Sequence, residues 1–252
     1  MNYLIGDIGN TSLKICKINN KFRIVKTFLF RTKSVYLEKN LKKKINQLAK
    51  NNTCNKILFS SVVPHIYRKI DKIFRKKNFK IFEIKKFGLN KLLKFRVKRY
   101  SQLGSDRIAN AIGAYYKFKT NCIVIDFGTA TTFDIIKKPG MYDGGVITPG
   151  IALSIENLFS STALLPTFKL KKYPTNYGKN TKEALNSGFF WGYQGLINNI
   201  IKKIIKKNNK NFKVILTGGY SNLFKNKIFK QAIIEKDITI QGILKVYRKF
   251  LI

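Results

Sequence analysis

Two short segments of this 252-residue chain share one pattern. Leu4-Ile-Gly-Asp7-Ile-Gly9-Asn10-Thr11 and Ile123-Val-Ile-Asp126-Phe-Gly128-Thr129-Ala130 each run from an apolar strand into Asp-x-Gly and on into a second strand. Asp7 and Asp126 stand close to half a chain length apart, at equivalent points of the two halves. Self-similarity on that scale points to a duplicated unit. The expected division is residues 1–117 and 118–252, each half carrying one such turn, with a cleft between them. Strand and helix signals alternate through both halves, so the expected class is α/β.

The pass along the chain predicts strands over Tyr3–Ile5, Leu13–Ile18 and near Phe22–Phe30, then a helix over Leu41–Ala49. A buried strand over Ile57–Val63 leads to Pro64, which suits the first turn of a helix. That helix places Ile66, Ile70, Ile73 and Phe74 on one face. A further helix is expected over Asp106–Phe118, with Ile108, Ile112 and Tyr115 inward. Strands over Cys122–Ile125 and Thr132–Ile136 flank the second turn, followed by Gly144–Ile147, a helix near Ile151–Phe159 and a long helix from about Lys182 to Lys207. Val214–Leu216 is a strand running into Gly218-Gly219, with two helices expected after it.

Charge bears on partners. Fifty Lys+Arg against twelve Asp+Glu give a net charge of +38, but 42 of the fifty are Lys and only 8 are Arg. Nucleic-acid readers rely on Arg for bidentate contacts and gather it on one face. Here Lys is spread through almost every segment, so no specific nucleic-acid partner is expected, only weak attraction to polyanions. Cys16, Cys54 and Cys122 have no CxxC spacing, and the single histidine, His65, cannot make a His-rich metal site. Free thiols suit a reducing compartment. No stretch reaches the roughly 18 apolar residues of a membrane span, and the first residues lack the pattern of a signal peptide. The expectation is a cytoplasmic protein with no membrane partner.

The acids are scarce and gathered. Asp7, Asp106, Asp126, Asp134 and Asp143 all lie in or beside glycine-containing turns. Asp favours turns through bonds to its own backbone, which explains one or two of the five comfortably and all five less so. An Asp-x-Gly-(Asn/Thr) turn offers backbone N–H groups and short hydroxyls to an anion, and Gly lets a phosphate approach. The carboxylate can hold Mg²⁺ directly or through water. Lys14, one strand along from Asp7, can reach the same phosphates as a point charge.

Other nucleotide motifs are missing. Gly178-Lys179 is followed by Asn180 and position 173 is Tyr, so there is no GxxxxGK[ST]; nor does GxGxxG follow the first strand. Thr217-Gly218-Gly219-Tyr220 after an apolar strand reads either as a plain strand-to-helix turn or as one against which a nucleoside packs. Gly104-Ser105-Asp106-Arg107 opens a helix. Its Asp can be a dipole-compensating cap, or the group that takes the proton of an attacking hydroxyl while Arg107 holds an anion. The spacing alone leaves both open.

Taken together the segments resemble the type III pantothenate kinases. The resemblance rests on Asp7-Ile-Gly-Asn-Thr-Ser-Leu-Lys14, Gly104-Ser-Asp-Arg107 with Ile108-Ala-Asn-Ala111, and Asp126-Phe-Gly-Thr-Ala-Thr-Thr-Phe-Asp134. Gly144-Gly-Val-Ile-Thr-Pro-Gly150, Thr162-Ala-Leu-Leu-Pro166, Thr181-Lys-Glu-Ala-Leu-Asn-Ser-Gly188 and Thr217-Gly-Gly219 extend it, in family order, across essentially the whole chain. It implies two actin-like, ribonuclease-H-like domains with a nucleotide cleft between them. The implied reaction is ATP-dependent phosphorylation of the primary hydroxyl of pantothenate, the first step of coenzyme A synthesis.

By position, Asp7, Ile8, Gly9, Asn10, Thr11, Ser12, Leu13 and Lys14 would be the first ATP loop and Thr129 a second ATP contact. Asp126 would help bind the monovalent cation, potassium or ammonium, that the family requires beside Mg²⁺. Gly104, Ser105, Asp106 and Arg107 would contact pantothenate, with Asp106 as general base and Thr181 contacting it from the second half. Two departures stand out. Ser105 replaces a frequent Ala, a small-for-small change expected to be harmless. The family's Tyr about seven residues before Gly-x-Asp-Arg is Val97 here, which leaves Tyr100, in the shorter Arg99–Leu103 link, as the candidate for its role.

A kinase for another small hydroxy acid or sugar would share the ATP loops, and the charge admits a non-catalytic, regulatory or nucleic-acid-associated relative. The intact Asp7, Asp106 and Asp126 argue against a loss of catalysis, since a scaffold has no need of carboxylates beside an anion site. A homodimer is expected too. Over Leu185–Ile205 the residues Phe189, Phe190, Trp191, Tyr193, Leu196, Ile197, Ile200, Ile201, Ile204 and Ile205 surround more of the helix than one stripe. The excess must be covered by a partner or by the helix's own domain.

Overall fold

A computed structural model describes residues 2–32, 45, 47, 54–170 and 173–252 of the chain. It divides into two compact units, Met1–Lys117 with Asp237–Ile252, and Phe118–Lys236. The first unit holds β1 (Tyr3–Ile8), β2 (Ser12–Ile18), β3 (Ile24–Arg31), β4 (Lys56–Ser61) and β5 (Lys80–Glu83). Their order in the sheet is β3-β2-β1-β4-β5. β1 pairs antiparallel with β2 and parallel with β4, so the apolar run of β1, buried at every position but Asp7, takes the central place. β3 lies at the edge, largely exposed, with Phe28 and Phe30 turned toward the core.

Helix α1 (Pro64–Arg75) joins β4 to β5 and buries Ile66, Ile70 and Phe74, with Ile73 partly buried against the same core. Each such side chain contributes about 1.5–3 kcal/mol on burial, so a charge at Ile70 would cost the unit this face. After two 3₁₀ turns (Ile84–Lys86 and Leu89–Lys91) and the two-residue strand β6 (Lys94–Phe95), a 3₁₀ turn over Tyr100–Gln102 leads into α2 (Ser105–Phe118).

The second unit repeats the plan. Its strands β7 (Cys122–Phe127), β8 (Ala130–Lys137), β9 (Met141–Pro149), β10 (Lys213–Gly218) and β11 (Ala232–Ile234) lie in the order β9-β8-β7-β10-β11. Again the first strand pairs antiparallel with the second and parallel with the fourth. Helices α3 (Ile151–Ser160), α4 (Thr181–Asn208) and α5 (Ser221–Phe224) complete it. Asn180 caps α4 by accepting the Glu183 amide at 3.0 Å, and Glu183 Oε2 accepts the Lys179 amide at 3.0 Å. Phe190, Tyr193, Ile197, Ile201 and Ile204 of α4 are buried, and Phe189, Leu196, Ile200 and Ile205 pack partly buried on the same core. Most of the apolar surround of this helix is therefore covered within its own unit, and Trp191 is left 39% exposed.

The last helix, α6 (Ile238–Phe250), belongs with the first unit, whereas the sequence reading runs the second half to residue 252. Glycines explain its seat. A Cβ on Gly242 would strike the Ala109 backbone of α2, and one on Gly113 of α2 would strike Ile238 O. The two helices thus meet backbone to backbone, a contact no apolar periodicity advertises. Thr239 Oγ1 also donates to Asn110 Oδ1 at 2.7 Å. The strand expected over Ile57–Val63 ends at Ser61. β5 and β11 fall outside the expected set, being too short to show a period; the two helices expected after Gly219 are α5 and α6, with β11 between them. The helix expected over Leu41–Ala49 lies outside the described residues except for Ile45 and Gln47, where Ile45 is buried. Among the described residues no helix is long and apolar enough to cross a membrane.

Candidate active site

The β1–β2 hairpin carries the first loop. Ile8 faces Leu13 in the last pair of the ladder, and both side chains are fully buried. Their place is in the core, so only their backbone can serve a ligand. Asn10, Thr11 and Ser12 stand exposed at the tip. The Gly9 amide donates to Ser12 O at 2.9 Å, Thr32 Oγ1 donates to Gly9 O at 2.7 Å, and the Thr32 amide donates to Thr11 O at 2.9 Å. The tip is thus pinned from the end of β3. Asp7 sits opposite Lys14 on β2 and level with Ser60 on β4. Ser60 Oγ is buried and has no hydrogen-bond partner among the described residues. Lys14 Nζ lies 3.6 Å from Asp237.

The second predicted cluster lies in the same unit. Val62 connects the two: its amide donates to Ile8 O at 3.1 Å, and its side chain lies beside Gly104. Gly104 O accepts the Ile108 amide at 3.1 Å, so the first hydrogen bond of α2 starts at Gly104 and Asp106 stands inside the first turn. Asp106 Oδ1 accepts the Arg107 amide at 2.8 Å. A Cβ at position 104 would lie 2.5 Å from that oxygen, which is why a glycine precedes this carboxylate. Burial pushes the Asp106 carboxyl above the usual range, against its bond to the Arg107 amide and the Arg107 charge. A carboxyl raised in this way is a better proton acceptor from a hydroxyl than an exposed one. Tyr100 closes the link that precedes the turn. Its ring meets Phe95 edge-on at 4.9 Å, its hydroxyl is buried without a partner among the described residues, and burial together with nearby Glu83 pushes its pKa up to about 12.

In the second unit Asp126 lies near the end of β7, opposite Thr132 and level with Thr217 of β10. The Gly128 amide donates to Ala130 O at 3.1 Å, leaving Thr129 exposed at the tip. Gly150 backs this loop so closely that a Cβ there would strike Gly128 O and Thr129 O. Gly218, at φ +84°, lies against the Phe127 backbone, and the Gly219 amide donates to Phe127 O at 3.1 Å. The Thr217-Gly218-Gly219 turn and the Asp126–Thr129 loop are therefore neighbours. Thr181, the first residue of α4, is exposed.

A hairpin carrying Asp and Lys beside a helix start carrying Asp-Arg, on a doubled β-sheet plan, is the equipment of a phosphotransferase. The sequence model of type III pantothenate kinase matches residues 3–203. A type III pantothenate kinase of Pelagibacter ubique is 47% identical over 244 residues, 96% of this chain and 97% of that one. The chain belongs to the type III pantothenate kinase family. Members of this family are phosphotransferases, and their reaction is the ATP-dependent phosphorylation of pantothenate, the first step of coenzyme A synthesis. Among solved structures the fold is similar to that of a protein from Campylobacter jejuni described as a Baf family transcriptional activator, at TM-score 0.62 and 24% identity, with 98% of each chain covered. It is also similar to an inorganic polyphosphate/ATP-glucomannokinase of Arthrobacter, at TM-score 0.52 and 11% identity, covering 98% of this chain and 99% of the other.

Sequence reasoning overlooked four polar residues of this kinase that touch or adjoin the predicted set. Thr32 pins the first loop, Ser60 lies beside Asp7, and Glu83 and Lys85 reach the link before α2. Glu83 could have been found. It is one of only twelve acids and closes an apolar run, much as Asp7 and Asp126 do, but no glycine follows to draw notice.

Proposed function

We infer that this kinase uses Asp106 as the general base toward pantothenate, with ATP bound by the Asp7–Lys14 hairpin and Thr129. The observation that carries the reading is the Gly104–Arg107 turn. Its half-buried carboxylate has a raised proton affinity and is linked through Val62 to the end of β1. An Asp106 oxygen takes the proton of the primary hydroxyl as the hydroxyl oxygen attacks the γ-phosphorus; the bond to the β–γ bridging oxygen breaks and ADP leaves. Arg107, Gly104, Ser105 and Tyr100 hold and orient pantothenate, and Thr181 adds a contact.

The residues around Asp7 fit a divalent metal. Level with the carboxylate, on β4, is a buried Ser60 hydroxyl without a hydrogen-bond partner among the described residues, an oxygen that with Asp7 suits a hydrated hard cation. When bound, Mg²⁺ neutralises phosphate charge. Lys14 supplies a protein cation to the same phosphates, and the Gly9 turn lets them approach the backbone. Asp126, flanked by Thr132 and Thr217, offers oxygens to a monovalent cation such as potassium or ammonium.

The enzyme works as a cytoplasmic homodimer in this reading. The three cysteines are buried free thiols, suited to a reducing compartment. In the second unit Leu158, Phe159, Leu164 and Trp191 remain exposed and are suited to a subunit contact. Charge repulsion between two such chains is screened beyond about 8 Å at physiological salt. Light scattering across a dilution series, with activity measured in parallel, tests this; a fully active monomer at micromolar protein would refute it.

The test of the reaction is ATP turnover with pantothenate against a panel of sugars and hydroxy acids, for the parent and for Asp106→Asn. The variant should bind ATP as the parent does and lose about 10²- to 10⁴-fold in turnover. Turnover within a factor of two of the parent would return Asp106 to a helix-terminal role, and a preference for a sugar would reassign the acceptor.

A further inference from the structure

The segment after β5 reaches into the link that leads to α2. Ser105 Oγ donates to Glu83 Oε1 at 2.5 Å, and the Lys85 amide donates to Glu83 Oε2 at 2.7 Å. Lys85 Nζ donates to Ser101 O at 2.8 Å and to Leu103 O at 3.0 Å, and lies 6.0 Å from the centre of the Tyr100 ring. Two side chains, two residues apart, therefore hold the link along its length: Lys85 its backbone from Ser101 to Leu103, Glu83 the first residue of the helix. Glu83, Lys85, Ser101, Leu103 and Ser105 wall a cavity of about 490 Å³, which Ser61, Val62, Gln102 and Gly104 also line. That size falls within the range of small-molecule sites.

Asp106 sits next to this arrangement but is not held by it directly. Its carboxylate accepts from the adjoining Arg107 amide, and Gly104 before it has no side chain to anchor. The place of the carboxylate is therefore set by where the helix start lies, and Ser105 is where that start is gripped. We propose that Glu83 and Lys85 are positioning residues of this kinase, fixing the Tyr100–Ser105 link so that Asp106 meets the acceptor hydroxyl and Tyr100 closes on the acceptor. The inference rests on the assignment of Asp106 as base. Burial pushes the Glu83 carboxyl up, with the Ser105 hydroxyl foremost among the groups opposing it, so keeping a carboxylate here has a cost. A link that needed only adhesion could be held by apolar contacts. Directed bonds from both ends suit one that must hold a geometry, because misplacing a reacting group by about 1 Å can cost on the order of a hundredfold.

The experiment compares Glu83→Ala, Glu83→Gln, Lys85→Met and Ser105→Ala in the full-length kinase. It reads kcat, KM for pantothenate, nucleotide affinity by a fluorescent ATP analogue, and far-UV circular dichroism. Glu83→Ala and Lys85→Met should each lower kcat/KM for pantothenate by about ten- to a hundredfold while nucleotide affinity stays at the parent value. Glu83→Gln should recover most of the loss, since its amide can accept from the Lys85 amide and bond the Ser105 hydroxyl. Glu83→Ala should cost less on the Ser105→Ala background than on the parent, as expected of two groups in one contact. Parent kcat and KM in folded Glu83→Ala or Lys85→Met would overturn the proposal, as would an equal loss of nucleotide affinity. Asp106→Asn is assayed beside them. If it is inactive while the other variants match the parent, the positioning role alone falls. If it is fully active, the base assignment falls and the positioning role with it.

Discussion

The hairpins at Asp7 and Asp126 share a scaffold and differ in what they set beside the carboxylate. Each joins the central strand of a sheet to its antiparallel neighbour, in sheets of the same order and pairing. In the first, the last ladder pair Ile8–Leu13 encloses Gly9, Asn10, Thr11 and Ser12; in the second, Phe127–Thr131 encloses only Gly128, Thr129 and Ala130. Across from Asp7 stands Lys14, and across from Asp126 stands Thr132. Directly opposed residues of an antiparallel pair share a face. The first carboxylate therefore shares its face with a cation. The second lies level with two hydroxyl residues, Thr132 of β8 and Thr217 of β10. The two hairpins keep one backbone plan and differ in the residue that faces the carboxylate, Lys14 in the first and Thr132 in the second.

The contrast breaks most visibly at Lys14. Lys14→Met should lower kcat/KM for ATP by about ten- to a hundredfold, the worth of one charged hydrogen bond to a phosphate. Thr132→Met, at the equivalent place, should change it far less. Steady-state kinetics with ATP varied at saturating pantothenate decides between them, and equal losses would erase the distinction between the hairpins.

A smaller effect is expected at the other carboxylate. Asp126→Ala should lower activity in potassium by roughly tenfold and abolish the difference between potassium and a bulky organic cation. Asp7→Ala should be less active still, yet its residual activity should keep that difference. The comparison needs rates in matched chloride buffers. A parent equally active in both cations would remove the ion from Asp126.

How much of this was legible depends on distance along the chain. The doubled Asp-x-Gly turns, the Pro64 helix and the long helix could be read because each is local: a run, a breaker and a period. Glu83 meeting Ser105 could not, since the contact spans 22 residues and joins a four-residue strand to a helix start. The departure read as a harmless small-for-small change, Ser105, thus carries a hydrogen bond that its neighbours in sequence do not foretell. The seat of α6 was hidden for a similar reason. Its contact with α2 depends on Gly113 and Gly242, where the signal is the absence of a side chain. Exposed Asn10–Ser12 and buried Ile8 and Leu13 also split a loop that the sequence presents as one motif.

The smallest effect separates a carboxylate held for chemistry from one held for stability. In Asp106 burial raises the folded-state pKa above the value of 3.8 expected of an unperturbed side chain. The sign follows from linkage. The fold favours the protonated acid, so this group contributes stability below its unfolded pKa and loses that contribution as pH rises through the raised folded value. At neutral pH the ionised Asp106 is therefore a burden on the fold. Asn cannot ionise and keeps an oxygen for the Arg107 amide, so Asp106→Asn should melt higher than the parent at pH 8, by about 2–4 °C for a chain of this size. The gap should narrow as pH falls and the parent's acid takes up its proton. Melting curves of the two proteins across pH 4–8, in a fixed salt, measure it. A variant that melts lower than the parent at pH 8 would show that the charge of Asp106 supports the fold, and that its ionised form is held for structure as much as for the hydroxyl of pantothenate.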